Sequence, residues 1–291
     1  MPAGDVRAIT EMRATDPGRV AELAAARKRP APLGTRRALI IAADHPARGA
    51  LRAGDNALAM ADRVELLDRL VLALSRPGVN GVLGTPDILE DLLLLGALDG
   101  KVVVGSMNRG GLAGTAFEID DRFTAYDAAS IAAAGFEGGK MLTRIDADDH
   151  ATAPTLAACA NAVSDLAGHR LMAMVEPFIS HRVDGRVRND LSPEAVIRSI
   201  TVAAGLGATS AYTWLKLPVV EDMERVMAAS TLPVLLLGGE VSADQDAAFE
   251  SWRKALQIPS VHGLVIGRSL LFPPDDDVSG AVDTVLSMVR G

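Results

Sequence analysis

Of the 29 basic residues in this 291-residue chain, five are lysine, at 28, 101, 140, 216 and 254, and the other 24 are arginine. Lys216 stands at the end of an apolar run, Ala-Tyr-Thr-Trp-Leu-Lys-Leu-Pro over 211–218, where a buried strand should meet a loop. A chain that prefers arginine so strongly yet keeps a lysine there has a use for an amine. A guanidinium stays protonated, whereas a desolvated lysine can lose its proton and attack a carbonyl. Lys140 sits in a similar place, after Gly-Phe-Glu-Gly-Gly. Two amines converging in one pocket would each lower the other's pKa. This pair points to Schiff-base chemistry.

Imine chemistry also needs carboxylates. The iminium acts as an electron sink for a breaking C–C bond, while a carboxylate or water takes and returns protons. Asp44, directly after the apolar run 38–43, and Glu176, directly after 171–175, are available. Each has a plainer reading: Asp44 as a cap for the following loop or helix, Glu176 as only an ion-pair partner of Lys140. His45 is open between a histidine held by backbone hydrogen bonds and one that touches substrate. Gly238-Gly239 and Gly267-Arg268-Ser269 follow the last two apolar runs. Glycines let an anion approach backbone N–H groups, and Arg268 can grip it with two bonds, so the two loops together suggest a phosphate site. Either glycine group alone is also compatible with an ordinary turn. The five histidines (45, 150, 169, 181, 262) fall in separate segments and no Cys/His cluster occurs, so neither a catalytic metal nor a cofactor is expected. Asp146, Asp148 and Asp149 form an acidic loop that either binds a cation or caps the next helix.

These residues need a scaffold that gathers them. Residues 5–28 read as a helical preamble ending at the proline-rich 29–34. Short apolar runs and amphipathic segments then alternate eight times. The predicted strands are 38–43, 81–83, 102–105, 138–142, 171–175, 211–215, 233–237 and 263–266. The predicted helices are 57–74, 86–96, 124–134, 151–167, 193–206, 219–229, 242–256 and 278–290. Unbroken apolar strands are buried on both faces, as parallel sheets require. Eight such units predict an α/β (β/α)8 TIM barrel over 35–291 behind an N-terminal helical extension, 1–34. An open doubly wound sheet is the alternative, disfavoured because no Gly-x-Gly-x-x-Gly follows the first strand. Two long connections, 106–122 and 176–191, follow strand C-termini, where barrel active sites form; they read as surface loops or as a lid over substrate.

Composition sets limits. With 49% hydrophobic residues the chain builds a large core, and with 3% aromatics it must pack it from Ala, Val, Leu and Ile. A net charge of −8 argues against a nucleic-acid partner. The single cysteine, Cys159, rules out an internal disulfide and reads as a buried structural thiol. No signal peptide and no run of the roughly 18–20 apolar residues needed to span a membrane is seen, so a soluble cytoplasmic protein without a membrane partner is expected.

Six segments carry a resemblance: Ile-Ile-Ala-Ala-Asp-His (40–45), Gly-Gly-Lys-Met-Leu (138–142), Val-Glu-Pro-Phe (175–178), Trp-Leu-Lys-Leu-Pro (214–218), Val-Leu-Leu-Leu-Gly-Gly (234–239) and Gly-Leu-Val-Ile-Gly-Arg (263–268). In this order they resemble the class I aldolases of the deoxyribose-phosphate, tagatose-bisphosphate and bacterial class I fructose-bisphosphate aldolase group. The resemblance implies that Lys216 is the Schiff-base lysine, that Lys140 and Glu176 are its partners, and that Asp44 takes the first-strand acidic role. It implies a phosphorylated keto sugar or sugar acid as substrate. The chain departs from deoxyribose-phosphate aldolases, which carry a second lysine where Leu237-Gly238-Gly239 stands. It departs from the tagatose and fructose branch at Thr143-Arg144, and Arg144 at the mouth would read a different acid group, such as a carboxylate. The pattern is similar to an actinobacterial-type branch associated with inositol breakdown, which makes 2-deoxy-5-keto-gluconate 6-phosphate a candidate substrate. A homo-oligomer is expected, with the N-terminal 30 residues covering the barrel bottom or a neighbouring subunit. A Schiff-base transferase and a non-catalytic sugar-phosphate sensor on the same barrel are the alternatives.

Overall fold

Strands that are apolar on both faces can be buried only between a filled interior and a layer of helices, and a closed parallel barrel supplies both. The computed structural model describes residues 3–34, 36–239, 241 and 245–290. Its strands are β1 Ala38–Ala42, β2 Gly81–Gly84, β3 Val102–Ser106, β4 Gly138–Ile145, β5 Met172–Val183, β6 Arg186–Asn189, β7 Thr213–Leu217, β8 Val234–Leu237 and β9 Val261–Ile266. Parallel pairing runs β1–β2–β3–β4–β5–β7–β8–β9 and returns to β1, closing an eight-stranded (β/α)8 barrel. At the seam Ala38 lies opposite Gly263, whose φ is +134°. A Cβ there would fall 2.0 Å from the Ala38 carbonyl oxygen, so only glycine lets the barrel close.

The helices are α1 Ala3–Thr15, α2 Arg19–Ala26, α3 Arg63–Ser75, α4 Pro86–Leu94, α5 Ala128–Ala134, α6 Thr152–Gly168, α7 Pro193–Ala204, α8 Met223–Met227, α9 Gln245–Ala255, α10 Arg268–Leu271 and α11 Val278–Arg290. Outward strand residues such as Leu39, Ile41, Val103, Met141, Ala173, Val175, Leu215 and Leu217 join the helices in the larger core cluster. Inward residues Ile40, Ala42, Leu83, Val102, Val104, Met174, Leu235 and Val265 form a second cluster inside the barrel. Leu33 packs onto it from the segment after α2. The extension is tied down by Arg27, which donates to the carbonyls of Lys101 and Gly135 at 2.7 Å and pairs with Glu137 at 2.7 Å. It is therefore anchored at the N-terminal ends of β3 and β4 of its own barrel. Among the described residues, no helix is long and apolar enough to cross a membrane.

Several expected boundaries are corrected. The connection 176–191 is not a loop: β5 runs on to Val183 and folds back as β6. Asp184 and Gly185 turn that hairpin with φ of 51° and 75°, and the Asp-Gly pair between apolar and basic residues was its signal. The helix expected over 57–74 starts at Arg63, because the Asp62 side chain accepts from the Glu65 N–H at 3.0 Å and sets its N-cap. That over 124–134 starts at Ala128 behind an Asp127–Ser130 capping box. Residues 219–229 keep only the short α8. Of the helix expected over 242–256, residues 242–244 lie outside the described residues, and α9 covers Gln245–Ala255.

Candidate active site

Side chains on a strand alternate faces, so the inward series continues from the apolar plug toward the C-terminal ends. Two residues beyond Ala42, Val104, Met174 and Trp214 come Asp44, Ser106, Glu176 and Lys216, and two beyond Gly138 comes Lys140. The register sets these residues in one polar layer above the plug. Lys140 lies within β4 as expected, whereas Lys216 lies within β7, not past its end, and Glu176 lies mid-strand in β5.

The layer forms a continuous chain of charges. Glu176 bridges the two amines, with Oε1 2.9 Å from Lys216 Nζ and Oε2 2.5 Å from Lys140 Nζ. Lys140 Nζ also lies 3.1 Å from Asp44 Oδ2. The same oxygen accepts from Ser106 Oγ at 3.1 Å and lies 3.1 Å from Arg109 Nη1. The layer is almost sealed: Asp44, Lys140, Lys216 and Glu176 are 1%, 2%, 4% and 8% exposed. Burial draws the Lys140 ammonium below the usual lysine range, against Asp44 and Glu176, which favour its charge. Burial alone would raise both carboxyls. Lys140 and Arg109 instead hold Asp44 well below the usual carboxylate range, and Lys140 with Lys216 brings Glu176 to about 2. The result is ionised carboxylates facing an amine whose neutral form is made more accessible.

His45 stays beside Asp44, its Nδ1 3.9 Å from Oδ1 and without a hydrogen-bond partner among the described residues. Burial lowers its pKa to about 3, so it is a neutral imidazole at pH 7. It can offer a hydrogen bond but no positive charge. Gly238 and Gly239 follow β8, Gly267 and Arg268 follow β9, and the two strands are neighbours, so both glycine loops edge the same side of the mouth. A Cβ on Gly267 would lie 2.4 Å from the Ala42 carbonyl oxygen, so that loop packs directly onto the end of β1. Arg268 Nη1 donates to the Arg52 carbonyl at 3.4 Å.

Arg144 departs from its expected place. It is buried, with Nη1 donating to the Glu118 carbonyl at 3.0 Å and Nη2 3.2 Å from Glu118 Oε1. Arg48 Nη2 meets that same oxygen at 2.8 Å, so the two arginines pin the 107–127 connection over the mouth. Asp149 and Asp146 serve the start of α6: Asp149 Oδ1 accepts from Ala151 N–H at 2.9 Å and Asp146 N–H donates to Thr152 Oγ1 at 3.1 Å. Among the described residues, no group of three or more His, Cys, Asp or Glu side chains is placed to hold a metal ion. Cys159 lies 3.2 Å from Thr143 Oγ1, its thiol pushed up by burial to about 11. Residue-type reasoning missed Ser106, Asn108, Arg109 and Glu118. The run Ser-Met-Asn-Arg-Gly-Gly at a strand end was the signal for the first three, and Glu118 had none.

The pH dependence of stability follows from these shifts. The folded state holds Glu176 ionised down to about 2 and His45 neutral down to about 3, against ordinary values of 4.5 and 6.5. In both cases the unfolded chain binds the proton first, so both contributions are full above the ordinary value and are lost as pH falls toward the folded one. Urea midpoints should therefore fall from pH 7 to pH 4, and His45→Asn should flatten the part between 6.5 and 4.5. A midpoint independent of pH across that range would contradict the burial of both groups.

Fold and site together define a (β/α)8 barrel with a buried centre of two lysines bridged by a carboxylate. The chain belongs to the Cgl0159-like family, whose model matches residues 36–286. The crystal structure of Cgl0159 from Corynebacterium glutamicum is similar to it at 55% identity, covering 100% of this chain and 98% of that one, with a TM-score of 0.97. A Schiff-base-forming fructose-1,6-bisphosphate aldolase shares 20% identity over 87% of this chain and 94% of its own, with a TM-score of 0.64. An archaeal fructose-1,6-bisphosphate aldolase, solved with its catalytic lysine bound to a carbinolamine intermediate, shares 19% identity over 94% of this chain and 100% of its own, with a TM-score of 0.66. These two likenesses establish the fold. No curated protein matches the chain.

Proposed function

We propose that this protein is a class I aldolase that makes or breaks a C–C bond in a phosphorylated keto sugar or sugar acid through a Schiff base on Lys216. The bridge from Lys216 through Glu176 to Lys140 carries this reading. In the cleavage direction, the Lys216 amine attacks the substrate ketone to give a carbinolamine, and protonation of its hydroxyl expels water and leaves an iminium. Removal of the proton from the substrate's β-hydroxyl then breaks the adjacent C–C bond, its electrons passing into the iminium to give an enamine and releasing an aldehyde. Protonation of the enamine carbon and addition of water regenerate the free amine. Lys140, Glu176 and Asp44 carry those protons, and a positioned acid–base group contributes about 10²- to 10⁴-fold.

Gly238, Gly239, Gly267 and Arg268 bind the phosphate, with His45 as a neutral hydrogen-bonding neighbour. Arg144 acts through Glu118 as a brace of the mouth. 2-Deoxy-5-keto-gluconate 6-phosphate remains the candidate substrate on the sequence resemblance. The deciding experiment is borohydride trapping with dihydroxyacetone phosphate, read by intact mass and peptide mapping. An adduct on Lys216 is expected; a folded protein that forms no adduct across a panel of ketone and aldehyde donors would favour a sugar-phosphate sensor.

A further inference from the structure

Arg109, in the connection after β3, is 5% exposed and reaches the reactive layer from a fixed base. The preceding residue, Asn108, is pinned to β4: its Oδ1 accepts from the Leu142 N–H at 2.8 Å and its Nδ2 donates to the Leu142 carbonyl. Arg109 Nε turns back onto the Asn108 carbonyl. From there Nη1 meets Asp44 twice, 3.1 Å from Oδ2 and 3.2 Å from the backbone oxygen. Lys140 and Ser106 share Oδ2 with it, so among the described residues every hydrogen bond and close ion pair to the carboxylate falls on that one oxygen. Among the described residues, the one titratable group paired with Oδ1 is the neutral His45, at 3.9 Å.

We propose that Arg109 is a positioning residue that keeps Asp44 ionised, with Oδ1 free of donors, while Lys140 exchanges its proton. The need is electrostatic. Lys140 is the strongest of the charges favouring ionised Asp44 and is also an amine that must change protonation during turnover. A neutral Lys140 would leave Asp44 buried without its main counter-charge, and the carboxyl would take up the proton. A guanidinium does not deprotonate in proteins, so Arg109 supplies a charge that persists through the cycle. The other groups facing Asp44 cannot do this. Lys216 is cationic as the iminium but loses that charge in the carbinolamine and the enamine, Glu176 is itself anionic, His45 is neutral and Ser106 carries no charge. Around Arg109 itself stand Arg48 and Asp121, the latter buried and accepting from the Gly111 N–H at 2.9 Å.

The inference rests on the aldolase reading, in which Lys140 exchanges protons while Asp44, still ionised, is ready to take one from substrate at Oδ1, but its test does not depend on turnover. In protein labelled with ¹³C at aspartate carboxyls, the Asp44 resonance is assigned by its loss in Asp44→Asn and followed against pH. Arg109→Gln should move its inflection up by about 1–3 pH units, and Arg109→Lys by less. A folded Arg109→Gln protein whose Asp44 titrates as in the unmodified chain would overturn the proposal. Should Arg109→Gln not fold, Asp44→Asn/Arg109→Gln decides: folding of the double variant supports a charge role, since both partners are gone. Failure of the double variant to fold assigns Arg109 to the loop scaffold and overturns the proposal. Failure of the unmodified protein to trap any ketone would remove the aldolase reading, while the titration would still answer for Arg109.

Discussion

Lys216→Met is expected to lose borohydride-dependent adduct formation entirely and to lower turnover on the order of 10⁴-fold or more, the scale seen when a covalent nucleophile is removed. The protein should still fold. Lys216 is an inward side chain near the top of β7, and among the described residues its side chain's only polar contact is Glu176 at 2.9 Å. Glu176 retains Lys140 at 2.5 Å when Lys216 is gone, so the substitution leaves no buried carboxylate alone. Methionine fills nearly the same volume without a charge, which limits any cavity. Circular dichroism and a urea midpoint check the fold, and mass spectrometry checks the adduct. An adduct of unchanged yield, mapped to Lys140, would transfer the nucleophilic role to that residue.

Glu176→Gln should strike both stability and activity. It strands the buried Lys216 ammonium, which has no other polar partner among the described residues, while Lys140 keeps Asp44 at 3.1 Å, and breaking a buried pair from one side costs about 3–5 kcal/mol. The loss should appear as a lower urea midpoint at unchanged slope. Activity should fall by about 10²- to 10⁴-fold, because the proton relay between the two lysines is broken. The double variant Glu176→Gln/Lys216→Met discriminates between the two effects. Deleting the stranded Lys216 charge removes most of the electrostatic penalty, so stability should recover while activity does not. If the double variant were as unstable as the single one, the Lys216–Glu176 pair would be a packing contact and not a charge pair.

Much of this site was legible before any coordinates. Lys140, Glu176, Lys216 and Asp44 stand out because each is an ionisable residue in or directly after an apolar run, and such a run must be buried on both faces. Their convergence follows once eight such runs are recognised as a barrel. Arg144 was misplaced for a physical reason: β4 continues to Ile145, paired with β5 as far as Ile179, so the residue lies inside a strand under a loop. The β5–β6 hairpin was overlooked because its strands carry His181, Arg182, Arg186 and Arg188, and a polar hairpin lacks the apolar pattern by which strands are read.

The sequence by itself determined the barrel, the order of its eight parallel strands and which four ionisable side chains, Asp44, Lys140, Glu176 and Lys216, stand in or after its apolar runs, because burial periodicity and residue chemistry are local properties. Only the tertiary structure decided which carboxylate meets which amine, that Glu176 joins both lysines, and that Arg109 stands on Asp44. Lys216 meets Glu176 across 40 positions, Lys140 meets Asp44 across 96 and Arg109 meets Asp44 across 65. Their distances depend on the register with which neighbouring strands pair, and strand pairing is set by the closed sheet as a whole.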